Sequence, residues 1–238
     1  MSQEAPKSGS PTILLIGASR GLGLGMAEEF IKRGCRVVAT ARDHTAAADL
    51  RALAVAHRGL LEIETVDIAE PATIAAMRGR LADHVFDMIF VNAGTANMND
   101  EIAAVIETEE YARVLVTNAL GPMRVIEACA DLVRPDGLIG VMSSGQGSIA
   151  NNTNGRHEVY RSSKAALNQL VRSYSARHAD DSRALVLLAP GWIRTRLGGP
   201  NAPFGIEESV PLLVDVLVEH QGKTGLAFVD RNGSEVPW

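Results

Sequence analysis

A short apolar run, Thr12-Ile13-Leu14-Leu15-Ile16, is stopped by Gly17 and followed by helical spacing from Leu22 to Arg33. A continuous apolar run reads as a strand buried on both faces, because a half-exposed strand would alternate. The helix that follows at once is ended by Gly34, a C-cap residue. A strand whose connection is a helix returns to a parallel neighbour, which commits the chain to a sheet covered by helices.

The rest of the chain keeps that rhythm. Strands are predicted at 36–41, 61–66, 85–91, 138–142, 184–188 and 226–229, giving seven with the first. Helices are predicted at 45–57, from Pro71 to about Ala82, at 108–133, at 158–177 and at about 207–219. The expected fold is a single-domain, doubly wound α/β structure of the Rossmann type, over residues 12–238. Its seven-stranded sheet is mainly parallel, with helices on both faces. Residues 1–11 are polar, with Pro, Ser and Gly but no apolar signal region, and read as a disordered lead.

Composition narrows the function. The net charge of -5 argues against nucleic acid or an acidic membrane as partner, since phosphate demands clustered Lys and Arg. Apolar runs fall short of the ~20 residues that a membrane span needs. The two cysteines, Cys35 and Cys129, are far apart and lack metal-ligand spacing. They read as buried packing residues in a reducing compartment, so a cytoplasmic protein without a bound metal is expected.

Open α/β sheets bind ligands at the carboxyl ends of their strands, and the informative motifs fall there. The first is Gly17-Ala18-Ser19-Arg20-Gly21-Leu22-Gly23. Glycines let a phosphate approach the backbone, and the helix after them offers unpaired N–H groups to an anion. This spacing is related to the dinucleotide fingerprint without being the same string. The first five residues also spell a hydrolase nucleophile elbow, G-x-S-x-G. That elbow needs a histidine at a late strand end, whereas the six histidines fall mostly in or beside predicted helices.

An NAD site places an acid about 20 residues beyond the glycines, on the ribose hydroxyls. Here Thr40-Ala41-Arg42-Asp43 puts a neutral residue there and a base next. Arg20 in the turn is a second base, and guanidinium groups suit a 2′-phosphate. The pair favours NADP(H), unless both are solvated surface arginines, and Asp43 keeps NAD(H) open.

Tyr160 and Lys164 stand four apart on a predicted helix, hence on one face. A free phenol titrates near ~10, and a neighbouring ammonium lowers that value, making a usable general acid/base. The chain holds four lysines against nineteen arginines, so Lys164 is no default choice of base. Met142-Ser143-Ser144-Gly145 ends the fifth predicted strand and offers a hydroxyl to a carbonyl oxygen, or merely a loop cap.

With these residues together, the chain resembles the short-chain dehydrogenase/reductase family over essentially its whole length. The carrying motifs are Gly17-x-x-x-Gly21-x-Gly23, Asp67, Asn92-Ala93-Gly94, Asn118, Ser144, Tyr160-x-x-x-Lys164, and Pro190-Gly191 with Thr195. The resemblance implies Tyr160 as proton donor, Ser144 orienting the carbonyl, and Lys164 also on the nicotinamide ribose. It implies that Asn118 holds a water in a relay with Lys164. It further implies Asp67 and Ile68 beside the adenine, Asn92 to Gly94 along the cofactor, and Ile193 with Thr195 on the nicotinamide amide. Ser144 and Tyr160 stand sixteen apart, more than is usual in that family. The Asn-rich loop 148–155 carries the excess, so Ser143 and Ser148 stay as alternatives to Ser144. That loop, the Tyr160-Arg161-Ser162-Ser163-Lys164 form and the Gly233–Trp238 ending are similar to sniffer-type carbonyl reductases and bacterial C-signal-like proteins.

The resemblance implies reduction of a ketone, aldehyde or quinone, or the reverse oxidation of an alcohol. A signalling protein with little turnover is the rival. The segment 192–205 reads as a lid, with Trp192, Leu197 and Phe204 as apolar lining or as plain loop packing. Arg194, Arg196, Arg156 and His157 near the mouth would suit an anionic substrate. Pairing through the helices at about 108–133 and 156–178 is expected to give a homodimer or homotetramer.

Overall fold

The computed structural model describes residues 9–43, 45, 47–97 and 101–238. The expected disordered lead falls outside the described residues at 1–8, and at its end the Pro11 carbonyl already accepts the Arg36 N–H at 2.8 Å.

The strands are β1 (Thr12–Ile16), β2 (Arg36–Ala41), β3 (Leu61–Thr65), β4 (Phe86–Val91), β5 (Val133–Met142), β6 (Ala184–Ala189) and β7 (Gly225–Asp230). They form one sheet in the order β3-β2-β1-β4-β5-β6-β7, every pair parallel. The order reverses between β1 and β4, which opens the crevice where such sheets take ligands. The helices are α1 (Gly21–Lys32), α2 (Ala48–Ala56), α3 (Pro71–Arg80), α4 (Thr108–Leu115), α5 (Gly121–Cys129), α6 (Glu158–Arg177) and α7 (Ile206–His220).

Strand alternation splits the apolar core in two. Leu14, Ile16 and Val91 face Met123, Ile126, Leu167 and Tyr174 of α5 and α6. Ile13, Leu15 and Phe90 face Phe30, Leu213 and Leu217 of α1 and α7. Each such side chain contributes about 1.5–3 kcal/mol on burial. Cys35 and Cys129 are buried and free, and burial pushes the Cys129 thiol up to about 11.

Three expected boundaries are corrected. The helix predicted at 108–133 is two helices, α4 and α5, joined by a π-turn at Val116–Leu120 and closed by a 3-10 turn at Ala130–Leu132. Pro122 sits in the first turn of α5, directly after that π-turn. The strand predicted at 138–142 begins at Val133, because Pro135 has no N–H for a helix and Val133 pairs with Phe86 of β4. The helix predicted at 45–57 starts only at Ala48, since Thr45 is held in a turn by both carboxylate oxygens of Asp43.

Candidate active site

All the singled-out residues except those on helices lie just past strand carboxyl ends, on one edge of the sheet. The loop after β1 carries Gly17 to Arg20 and runs into α1 at Gly21, that after β2 carries Arg42, and that after β3 Asp67. Those after β4, β5 and β6 carry Asn92, Ser144 and Pro190.

The glycine turn is fixed by two neighbours. Thr40, buried on β2, accepts the Gly17 N–H through Oγ1 at 3.0 Å, and its carbonyl accepts the Ala18 N–H at 2.8 Å. Asn92 donates from Nδ2 to the Gly17 carbonyl at 2.7 Å. At Gly23 a β-carbon would lie 2.1 Å from the Gly17 carbonyl oxygen, so only glycine fits where α1 crosses the turn. Arg20 caps α1 without a side-chain hydrogen bond, and the first turn of α1 holds no acid. The opening N–H groups of α1, with Ser19, Gly21 and Leu22 around them, thus have neither a side-chain cap nor an acid of their own. Arg20 and Arg42 are exposed, whereas Asp43 bonds Thr45 N at 2.7 Å and Thr45 Oγ1 at 2.6 Å.

Past β3, the Asp67 carboxylate accepts the Ala69 N–H at 2.9 Å, and the Thr73 hydroxyl donates to the Asp67 carbonyl at 2.7 Å. Ile68 turns its side chain into the core, so it offers a neighbouring ligand only its backbone. Past β4, the Asn92 and Ala93 N–H groups both donate to the Ile16 carbonyl, at 2.9 and 3.0 Å, which binds that loop to the glycine turn.

Ser144, Tyr160 and Lys164 come together where β5 runs into α6. Burial pushes the Tyr160 hydroxyl up to about 12, and its hydrogen bond with Ser144 pulls the other way. Burial lowers Lys164 to about 8. Its ammonium donates to the Met142 carbonyl at 2.8 Å and lies 5.9 Å from the centre of the Tyr160 ring. The ammonium is anchored on the strand end, and the hydrogen bond that draws the phenol down is that of the Ser144 hydroxyl.

The serine alternatives separate by their partners. Ser143 is buried and donates to Asn168 Oδ1 at 2.6 Å, and Ser148 is buried and accepts the Asn151 N–H at 3.2 Å. Ser144 keeps its hydroxyl at the Tyr160 phenol, accepting also from Gln146 N at 3.1 Å.

Asn118 lies in the π-turn, which shifts the helical hydrogen-bond ladder by one residue. Its side chain accepts the Thr95 N–H at 2.8 Å and donates to the Thr95 carbonyl at 2.8 Å and Ser163 Oγ at 2.9 Å. Asn118 and Lys164 meet across Gly94, where a β-carbon would stand 3.4 Å from Asn118 Oδ1 and 3.6 Å from Lys164 Nζ.

The segment 192–205, expected as a lid or a plain loop, is bonded within itself. Ile193 pairs with Phe204, and Arg194 N–H donates to the Phe204 carbonyl at 2.8 Å. Trp192 Nε1 donates to the Gly198 carbonyl at 2.7 Å, and Gly198 N–H to Thr195 Oγ1 at 3.0 Å. Thr195 also reaches the glycine turn, 3.8 Å from where a Gly21 β-carbon would stand. Gly191 leads into this segment with φ +83°, and the Arg231 guanidinium stacks 3.4 Å from the Phe204 ring centre. Arg194 donates to the Ala202 and Pro203 carbonyls at 2.9 and 2.7 Å. Its charge is spent inside this segment instead of at the mouth.

Sequence reasoning missed Thr40, Thr95, Ser163 and Asn168. The one local signal was Thr40, a lone hydroxyl in the apolar strand RVVATA; the others act through partners distant in sequence. Among the described residues, no helix is long and apolar enough to cross a membrane.

Comparison with known proteins agrees with this geometry. A family model described as enoyl-(acyl carrier protein) reductase matches residues 17–212. C-signal of Myxococcus xanthus is 38% identical over 158 residues, 64% of this chain and 92% of that one. A short-chain dehydrogenase/reductase of Burkholderia multivorans, solved with bound NADP, is 54% identical, with a TM-score of 0.94 over 96% of this chain and 100% of that one. The carbonyl reductase Sniffer of D. melanogaster is 28% identical, with a TM-score of 0.88 over 96% of this chain and 100% of that one. The glycine turn, the Tyr160–Lys164 helix and the all-parallel seven-stranded sheet thus occur in a chain that belongs to the short-chain dehydrogenase/reductase family of oxidoreductases.

Proposed function

We propose that this chain uses NADP(H) to reduce a ketone, aldehyde or quinone to an alcohol, or to run the reverse oxidation. The observation that carries the reading is the meeting of Tyr160, Ser144 and Lys164 at the end of β5, on the same edge of the sheet as the uncapped start of α1. NADP bound to the Burkholderia relative, and carbonyl reduction by Sniffer, support the cofactor and the substrate class.

The residues present fit the dinucleotide. The free N–H groups of α1 suit its pyrophosphate, and Arg20 and Arg42 suit a 2′-phosphate. The acid that would prefer a bare ribose, Asp43, is drawn into its own turn by Thr45. Asp67 with the Ile68 backbone would hold the adenine. Asn92 to Gly94 and Pro190-Gly191 would line the cofactor, and Ile193 with Thr195 would hold the nicotinamide. When bound, NADPH supplies a hydride. Ser144 holds the carbonyl oxygen by a hydrogen bond while Tyr160 gives that oxygen its phenolic proton. The Lys164 ammonium favours the phenolate left behind, and Asn118 keeps the Thr95 loop and Ser163 in place beside it.

A panel of carbonyl compounds with NADPH and with NADH, followed at the nicotinamide absorbance, tests this. Oxidation of NADPH by at least one carbonyl is expected. The likeness to C-signal carries a second reading, a cofactor-binding signalling protein with little turnover; oxidation of neither cofactor by any carbonyl would favour it. The same proposal places the enzyme in the cytoplasm, in keeping with its free, buried cysteines. It expects a homodimer or homotetramer through α4, α5 and α6, which light scattering would check.

A further inference from the structure

The connection from Ser144 to Tyr160 is long, and its residues 151–158 are exposed. Most of its hydrogen bonds are local. Asn151 N–H reaches Ser148 Oγ, Asn152 N–H the Ile149 carbonyl, and Gly155 N–H Asn152 Oδ1. Such bonds shape a loop without fixing it to the protein. Anchors occur at its two ends. Early, Ala150 N–H donates to the Trp238 carbonyl at 3.1 Å. Late, Arg161 of α6 holds two points at once: Nε donates to the Arg156 carbonyl at 2.7 Å and Nη2 to Asn154 Oδ1 at 3.2 Å.

Local geometry favours this grip. Helical side chains lean toward the helix N-terminus, so Arg161, in the first turns of α6, sweeps back over the arm that leads into it. Gly155 and His157 are both left-handed, with φ +66° and +59°, and flank Arg156. His157 keeps that conformation only where its surroundings hold it. Asn154 Oδ1 also accepts the Arg156 N–H at 3.1 Å, so one amide oxygen joins the loop's own turn to the guanidinium.

We propose that Arg161 is a positioning residue: by holding the 151–157 arm against α6 it sets the substrate-side wall next to Tyr160 and selects which carbonyl compounds bind. The proposal rests on the carbonyl-reduction reading above. A planar fork is needed to meet a carbonyl and an amide oxygen together, which an ammonium cannot do with the same fixity.

Three variants, Arg161→Ala, Arg161→Lys and Asn154→Ala, test it against wild type, with the carbonyl that wild type turns over best. Arg161→Ala should raise KM at least fivefold while kcat and the NADPH dissociation constant stay within twofold. Arg161→Lys and Asn154→Ala should fall between. The double variant Arg161→Ala/Asn154→Ala should lose less than the two single losses added together, since the two groups share one of their contacts. Hydrogen exchange of the 150–157 amides, with NADPH present, should quicken about tenfold in Arg161→Ala while the α6 core is unchanged. An unmoved KM, a loss shared equally by kcat, or unchanged exchange overturns the proposal while leaving carbonyl reduction intact. A wild-type protein that turns over no carbonyl overturns both together.

Discussion

Lys164 Nζ donates to the Met142 carbonyl at 2.8 Å, tying α6 to the last residue of β5. The ammonium is buried there, and burial lowers it from 10.5 to about 8. Between those values the unfolded chain binds more protons than the folded one, so stability rises with pH across that window. Below about pH 8 both states hold the proton and the burial penalty is carried in full. Tyr160 acts in the opposite sense: it is raised from 10 to about 12, so the unfolded chain ionises first and stability falls over that range. Denaturant unfolding should show a rise on the order of 3 kcal/mol from Lys164, with Lys164→Met abolishing it. A wild-type profile flat from pH 8 to 10 would contradict burial as the cause.

A β-carbon added at Gly23 would stand 2.1 Å from the Gly17 carbonyl oxygen, too close to be admitted. Gly23→Ala must therefore displace backbone, and α1 with it. NADPH affinity is expected to drop at least tenfold, about 1.4 kcal/mol or more, by fluorescence titration. Wild-type affinity in a folded Gly23→Ala protein would mean that the turn is not the phosphate site.

Under the proposed function, the cofactor choice rests on Arg20 and Arg42. Replacing both by Ala should weaken NADPH binding by roughly tenfold or more, since a charge-assisted bond contributes about 1.5–3 kcal/mol. NADH binding should hardly change. Equal losses for the two dinucleotides would show that the arginines are solvated surface charges.

Ser143 and Ser144 are neighbours with different partners, and their alanine variants should part accordingly. Ser143→Ala leaves Asn168 Oδ1 without its donor and should cost about 1–3 kcal/mol of stability, with turnover per folded molecule kept. Ser144→Ala removes the partner of the Tyr160 phenol and of the Gln146 N–H, and should lose turnover per folded molecule by roughly 10- to 1000-fold, the range of a single positioned hydrogen-bond donor. The reverse pattern in thermal melts and kinetics would exchange their roles.

The sheet was readable because most strands are apolar runs with a turn signal behind them, with β3 (LEIET) alternating instead, and its all-parallel order follows from the helices between. The break at Val116–Leu120 was not, since apolar spacing continues through the π-turn and only the Asn118 contacts with Thr95 and Ser163 betray it. The early start of β5 was hidden because Arg134-Pro135-Asp136-Gly137 reads as a turn, whereas pairing with β4 extends it. Tyr160, Lys164 and the glycine turn were legible as local strings. Ser144 was legible only as one of three candidates, until Asn168 and Asn151 were seen to hold the other two. The anchoring of Lys164 on Met142, 22 residues away, leaves no periodic trace at all.

Tyr160→Phe tests the central claim most directly, measured as NADPH titration and steady-state carbonyl reduction on one preparation. The hydroxyl is removed and the ring kept, so NADPH affinity should stay within about threefold while kcat falls by about 100- to 10,000-fold, the span of general acid catalysis. Turnover close to wild type with NADPH still bound would contradict Tyr160 as the proton donor.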